Sequence, residues 1–322
     1  MLTKNNSKKN ISTNNNLNLK ENCSTKSSSE ISIKITNQIT LLEYHRKSES
    51  QKLISIYGPN YLKSNELNDN NIIQKNELNF KNLSFIHLKM IDWMIDIFNS
   101  YKSEPKTFYT AVNIFNSFLN YTEKIISENE IHLIGTVCIF IASKFEDKIP
   151  LRLKQIVEII SKNKFNKQEI NNIEKEILKT INFNLIQTCI YDYVKTFLFD
   201  LEINNSNFQN FFDNNFFFNY ENICEYLCKL TTLSKEFIFI NCEIKALCVL
   251  ALAFDILKSK IKLKKNLENF LKQWVIFVII QTGKNQKKVQ KYYEKLAQLY
   301  YDNINGFLGV DALIRTHPLI LY

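Results

Sequence analysis

Between residues 84 and 183 apolar side chains return every three or four positions, and turn-forming residues interrupt the rhythm often enough to predict five consecutive helices. In "SFIHLKMIDWMIDIFNSY", Ser84 is placed to cap a helix whose stripe is Leu88, Ile91, Ile95 and Phe98, and Ile86, Met90, Trp93 and Ile97 make a second stripe. Past the breaker Pro105, Phe108, Val112, Phe115 and Leu119 line a second helix. Ser127 and Glu130 have capping-box spacing in front of a third helix. From Ile131 to Lys144 this helix is apolar on nearly every side, broken only by His132, Thr136 and Ser143, which reads as a helix sunk inside the protein. Pro150 opens a shorter amphipathic helix, "PLRLKQIVEIIS". Asn166 and Glu169 cap a fifth helix, lined by Ile170, Ile173, Ile177 and Ile181.

A similar count follows. Segments near 187–201, 218–234, 236–257, 266–282 and 284–303 are helix candidates, and the third, "EIKALCVLALAFDIL", is again apolar all round. The expected fold is therefore all-α, two five-helix units at 84–185 and 186–316, each built around a buried third helix. Residues 1–37 are rich in Asn, Ser and Lys, have few large apolar side chains, and are expected to form a disordered tail. Over 38–83 a weak stripe of Leu41, Leu42, Tyr44, Leu53, Ile54 and Ile56 predicts an N-terminal helix, closed by Gly58-Pro59 and followed by a polar connector. A short tail, 317–322, ends the chain.

Composition narrows the function. With 5 Gly and 4 Pro among 322 residues, the many turns of an all-β protein are out of reach. No run of eighteen apolar residues spans a membrane, and "MLTKNNSKKN" lacks the apolar core of a signal peptide. The 7 Cys show no C-x-x-C pair, and no His stands at metal-ligand spacing, so reduced buried thiols in a nuclear or cytoplasmic protein are expected, with no metal and no cofactor. There is no G-x-S-x-G, no phosphate loop and no H-E-x-x-H, which disfavours an enzyme.

"MIDWMIDIFNSY", "FYTAVNIFNSFL", "HLIGTVCIFIASKFED" and "NNIEKEILKTINFNL" resemble, in order and at fitting separations, the four hallmark segments of the cyclin box, most like that of A- and B-type cell-cycle cyclins. The resemblance covers about 84–185 well, and the second unit is similar to the more variable C-terminal cyclin fold. It implies two tandem cyclin-box bundles and a regulatory subunit that binds and activates a cyclin-dependent serine/threonine kinase. In that family a Lys at the position of Lys144 and a Glu at the position of Glu174 grip the backbone of the kinase's regulatory helix, flanked here by Phe145 and Glu146. An ammonium donates to carbonyls and a carboxylate accepts from N–H groups, so such a pair holds main chain whatever the side chains. The competing reading makes Lys144 and Glu174 two solvated helix residues, but Glu174 sits in the apolar stripe beside Ile173 and Ile177.

The resemblance also implies a docking patch for short basic-apolar motifs in protein substrates, at Ile86, Met90, Trp93, Asp96, Ile131 and His132. Lys89 falls where that patch is normally aliphatic, and Trp93 reads alternatively as core. The family's usual Arg–Asp pair between the first two helices corresponds to His87 and Asn116, either a hydrogen bond or a His facing solvent. Lys20, Glu21 and Asn22 spell the KEN signal read by the anaphase-promoting complex, in a tail where chance also supplies such triplets. The net charge of +9 opens an alternative, since paired cyclin folds in transcription factors meet nucleic acid. The lysines of 258–265 and Lys284, Lys287, Lys288 and Lys291 are not interleaved with Arg, the commonest reader of bases, which favours a solvated face or an import signal.

Overall fold

The computed structural model describes residues 84–207, 214–238, 240–260 and 268–317, apart from 270, 271, 273, 277, 280, 281, 284 and 285. The expected tail, N-terminal helix and connector, Lys20 to Asn22, and residues 318–322 lie outside the described residues.

Among the described residues all regular structure is helical. In the first half α1 is Ser84–Tyr101, α2 Pro105–Tyr121 and α3 Glu128–Glu146, followed by the single turn α4, Leu153–Gln155, and then by α5, Lys167–Thr180. A π-helical turn, Ile156–Ile160, continues α4. The second half has α6 (Ile190–Asn207), α7 (Asn214–Thr232), the short α8 (Lys235–Ile238), α9 (Cys242–Lys260), α10 (Gln286–Ile304) and the short α11 (Ala312–Thr316).

The all-round apolar helices take the central places their composition demands. α3 packs against α1, α2, α5 and the π turn, and from Ile134 to Ser143 every one of its side chains is buried. Burying side chains such as Ile139 or Phe140 stabilises by about 1.5–3 kcal/mol each, which ties α3 to all of its neighbours. α9 repeats the arrangement against α6, α7 and α10. The core stripe of α2, Phe108, Val112, Phe115 and Leu119, is wholly buried, as are Ile170, Ile177 and Ile181 along α5 and at its C-cap.

Local capping chemistry explains several boundaries. The Glu130 carboxylate accepts from the Ser127 N–H at 2.8 Å, closing the start of α3. Asn166 Oδ1 accepts from the N–H groups of Gln168 and Glu169, both at 2.9 Å, while Glu169 reaches back to the Asn166 N–H at 2.7 Å. α9 starts at Cys242, not at the expected 236, because Asn241 accepts from the Glu243 and Ile244 N–H groups at 3.0 and 3.3 Å and so caps a fresh helix after α8. The amphipathic segment after Pro150 is shorter than its pattern suggests: the Ser161 N–H bonds the Ile156 carbonyl at 2.8 Å, and Lys162 and Asn163 then adopt φ of 51° and 60°, which no helix continues.

One feature has no periodic signal in the sequence. α11 turns back from the second half and packs on α1, while also touching α7. His317, expected in a terminal tail, is instead packed at the end of α11 with its side chain 10% exposed, 3.9 Å from Glu225 on α7.

Candidate partner-binding surfaces

The buried helix α3 ends in four polar or half-exposed residues, and the structure separates their roles. Lys144 donates to Glu174 Oε1 on α5, and its Nζ lies 4.0 Å over the centroid of Phe140. The pair is partly desolvated, with the Lys144 side chain 39% and the Glu174 side chain 16% exposed. The Asn166 cap fixes where α5 begins, and Ile170 and Ile177 bury its inner face, which sets Glu174 at the rim beside the end of α3. Phe145 projects next to the pair, 44% exposed. Sequence reading grouped Glu146 with these residues, but its Oε1 accepts from the Thr110 hydroxyl of α2 at 2.8 Å, so this carboxylate braces α3 against α2.

Asp147 was not among the expected site residues. Its carboxylate accepts from Ser103 Oγ at 3.2 Å, the Glu104 N–H at 3.1 Å, Thr107 Oγ1 at 2.6 Å and Ser143 Oγ at 2.7 Å. Glu104 is the N-cap position of α2 and supplies no cap from its own side chain. Asp147 therefore caps α2 from a different helix, placing an anion at a positive helix end. An acid at the C-terminus of α3 opposes that helix's own dipole, and this misfit with local rules was the one signal in the sequence that pointed to a tertiary partner.

A second surface lies on α1. Ile86, Trp93 and Asp96 are half-exposed, and Phe85 beside them is 62% exposed. Met90 and Ile131 are buried, so they can form only the floor beneath this strip. The Trp93 ring meets His132 edge-on with centroids 5.0 Å apart, and His132 meets Phe165 at 5.3 Å. Burial, aided by the nearby Lys164 charge, lowers the His132 pKa, favouring the neutral ring against Trp93. A Cβ at Gly135 of α3 would stand 2.3 Å from Met90 Cε and 2.6 Å from its Sδ, so a larger residue there would push the flexible Met90 side chain aside.

The charged residues beside the strip all face the chain's own C-terminal segment. Lys89 donates to the Gly309 carbonyl and lies 5.4 Å over the Phe85 ring, so it anchors a loop. Gly309 has φ +62°, a conformation that suits glycine. Asp92 Oδ1 accepts the Ala312 N–H at 3.0 Å, and Asp96 Oδ2 accepts from Arg315 Nη2 at 2.6 Å. Burial raises the Asp92 pKa, and the backbone donors at Ala312 and Asp311 oppose that rise.

His87 and Asn116 form the hydrogen bond, not the solvent-facing alternative. His87 Nε2 and Asn116 Oδ1 are 2.7 Å apart, and the ring stacks on Phe115 with centroids 5.4 Å apart. Burial pulls the His87 pKa down to about 4, since an imidazolium would lose its hydration there.

In the basic second half, residues 261–267 lie outside the described residues, while Lys258 pairs with Glu268 at 2.6 Å and Lys295 pairs with Glu236. The described cysteines are buried, and burial raises the thiol pKa at Cys138, Cys189, Cys224, Cys228 and Cys248, which suppresses the reactive thiolate. Among the described residues no group of His, Cys, Asp and Glu is placed to hold a metal ion, and no helix is long and apolar enough to cross a membrane.

Comparison with known proteins places the chain among relatives of one kind. Residues 59–186 match the family model described as Cyclin, N-terminal domain. The chain is 29% identical over 109 residues to Cyclin-A1-4 of Oryza sativa subsp. japonica, covering 34% of this chain and 30% of that protein. It is 34% identical over 96 residues to G2/mitotic-specific cyclin-2 of Saccharomyces cerevisiae, covering 30% of this chain and 19% of the other. With G2/mitotic-specific cyclin-A of Hydra viridissima it shares 26% over 144 residues, 44% of this chain and 33% of that one. The matches thus span a third or less of these relatives' own lengths. Among solved structures, a viral cyclin from herpesvirus saimiri matches with a TM-score of 0.50 at 14% identity, over 71% of this chain and 96% of the viral one, a likeness of fold. With a match to the cyclin N-terminal domain over 59–186, relatives named as A-type, B-type and G2/mitotic cyclins, and an all-helical fold like that of a viral cyclin, the chain is most similar to the A- and B-type cyclins.

Proposed function

We propose that this protein is the regulatory subunit of a cyclin-dependent serine/threonine kinase, and that Lys144 and Glu174 grip the kinase's regulatory helix. The observation that carries this reading is the Lys144–Glu174 pair itself, which joins α3 to α5 at a rim beside the exposed Phe145. An ammonium has three N–H donors and Glu174 takes one, which leaves donors for main-chain carbonyls, while the carboxylate keeps lone pairs for backbone N–H groups. Because the two side chains already meet, little rotamer entropy remains to be lost when a helix docks. Phe145 adds apolar area at the same edge.

The task of such a subunit is to bind one kinase conformation better than the other. A kinase transfers phosphate only when its strand Lys pairs with a Glu on the regulatory helix. Shifting that equilibrium from about 1:99 to 99:1 takes roughly 5.5 kcal/mol of differential affinity, within reach of a helical interface. Substrate choice on this reading belongs to the strip of Ile86, Trp93, His132 and Asp96, which suits short motifs that combine a basic residue with aliphatic ones. Residence in the nucleus and cytoplasm, and turnover through Lys20, Glu21 and Asn22 by the anaphase-promoting complex, are parts of the same proposal.

The test is affinity purification of the tagged protein with a kinase assay on what co-purifies. Lys144→Ala and Glu174→Ala should each lose kinase partner and activity, by about 30-fold or more in affinity, because one member of a desolvated charge contact is left unpaired. Both variants should keep wild-type helical circular dichroism. Kinase binding and activation at wild-type level by both would overturn the reading.

A further inference from the structure

The α1 strip ends in a carboxylate that already holds a guanidinium of the same chain. Lys89, Asp92 and Asp96 lie along one line of α1, and residues 309–315 answer them in turn: the Gly309 carbonyl takes Lys89, the Ala312 N–H takes Asp92 and Arg315 takes Asp96. The segment doing so, "VDALIRT", sets the basic Arg315 among aliphatic residues, with Asp311 as its one acid, and Arg315 with Leu313 and Ile314 repeats the chemistry that the strip suits in a partner. Its parts are held unequally. Val310, Ala312 and Leu313 are at most 1% exposed, whereas the Arg315 side chain is 56% exposed and the Asp96 side chain 39%. The backbone of the segment is therefore fixed, and Arg315, whose Nη1 lies 4.0 Å from Asp311 Oδ2 of the same segment, can swing away from Asp96 without lifting α11.

We propose that Arg315 is a competitor built into the chain: it occupies the Asp96 carboxylate, and a basic-aliphatic peptide docks on Ile86 and Trp93 by displacing it. The proposal rests on the docking reading given above and adds a threshold to it. A ligand lacking a basic residue gains nothing at Asp96. A ligand that brings one must outcompete a guanidinium held nearby by α11, so the strip selects for motifs with strong or repeated positive charge. An exposed ion pair of this kind is weak and salt-screened, so the threshold is low and adjustable.

The experiment uses the full chain and a fluorescein-labelled peptide with two arginines followed by two leucines, with binding read by fluorescence anisotropy at low salt. Arg315→Gln should bind this peptide about threefold more tightly than wild type, the factor that loss of one exposed ion pair allows. Arg315→Lys, which keeps the charge, should stay close to wild type, and Asp96→Asn should bind more weakly. A control peptide with both arginines replaced by alanine should not distinguish Arg315→Gln from wild type. If Asp96→Asn loses affinity but Arg315→Gln matches wild type, the competition is refuted while the docking reading stands. If Asp96→Asn binds as wild type does, or no variant binds the peptide, the docking reading fails and takes the proposal with it.

Discussion

Asp147 Oδ1 accepts the Thr107 hydroxyl at 2.6 Å, and this short contact joins the C-terminal end of the central helix α3 to the first turn of α2. With Ser103, Glu104 and Ser143 as further donors, the carboxylate ties the stretch 103–107 to the end of α3. Asp147→Ala should lower stability by about 3 kcal/mol, since hydrogen bonds to a charged acceptor are worth about 1.5–3 kcal/mol each but do not add fully. Urea unfolding of the purified chain measures this. A loss below about 1 kcal/mol would show that solvent replaces the carboxylate at little cost. Ser143→Ala should also destabilise, because Ser143 Oγ both donates to Asp147 and accepts the Leu151 N–H at 2.9 Å.

The buried His87 makes stability fall on mild acidification. Its folded pKa of about 4 lies below the ordinary 6.5, so between these values the unfolded chain binds a proton that the folded chain refuses. Stability from this residue is present above pH 6.5 and is lost as pH falls through that window. From pH 6.5 to pH 5 the loss is about 2 kcal/mol, at 1.36 kcal/mol per unit. His87→Gln retains an amide for Asn116 and does not titrate. The difference in unfolding free energy between pH 7.5 and pH 5, measured by urea titration, should therefore shrink by that amount in the variant. His132, whose pKa is also lowered by burial, titrates in both chains and cancels in the comparison. An equal acid sensitivity of wild type and His87→Gln would refute the assignment.

Trp93 and its neighbour Met94 separate surface from core. Met94 is fully buried, and Met94→Ala should cost about 2–5 kcal/mol because a cavity remains. Trp93 is half-exposed with an edge contact to His132, so Trp93→Ala should cost less, about 1–2 kcal/mol, by loss of partial burial. It should instead weaken phosphorylation of substrates that carry a basic-aliphatic motif, at unchanged activity toward substrates without one. A Trp93→Ala chain as unstable as Met94→Ala would return this residue to the core.

What could be read from sequence divides by the distance over which the governing interaction acts. The stripes of α2, α3 and α5 and the caps at Ser127 and Asn166 involve neighbours a few positions apart, and periodicity exposes such relations directly. The place where α9 begins was missed although Asn241 was visible, because apolar periodicity ran on through the break at α8. Lys144 and Glu174 were linked only through resemblance, since nothing in either helix alone says that their rims meet. The bond from Thr110 to Glu146 was hidden for the converse reason: a charge at the end of a buried helix looks the same whether it awaits a partner or holds a hydroxyl 36 positions away. The contacts of Gly309, Ala312 and Arg315 with α1 span about 220 positions and leave no local trace at all.

That last separation also has a meaning in time. A ribosome that adds about 5–20 residues per second needs roughly 10 to 45 seconds to travel the 219 positions from Asp96 to Arg315. Once the chain has been made as far as Thr180, α1, α2 and α5 can pack against α3 before residues 309–315 exist. Asp92 and Asp96 then face water, and Lys89 has no loop to hold. The nascent protein thus presents the α1 strip without its guanidinium until residues 309–315 are made.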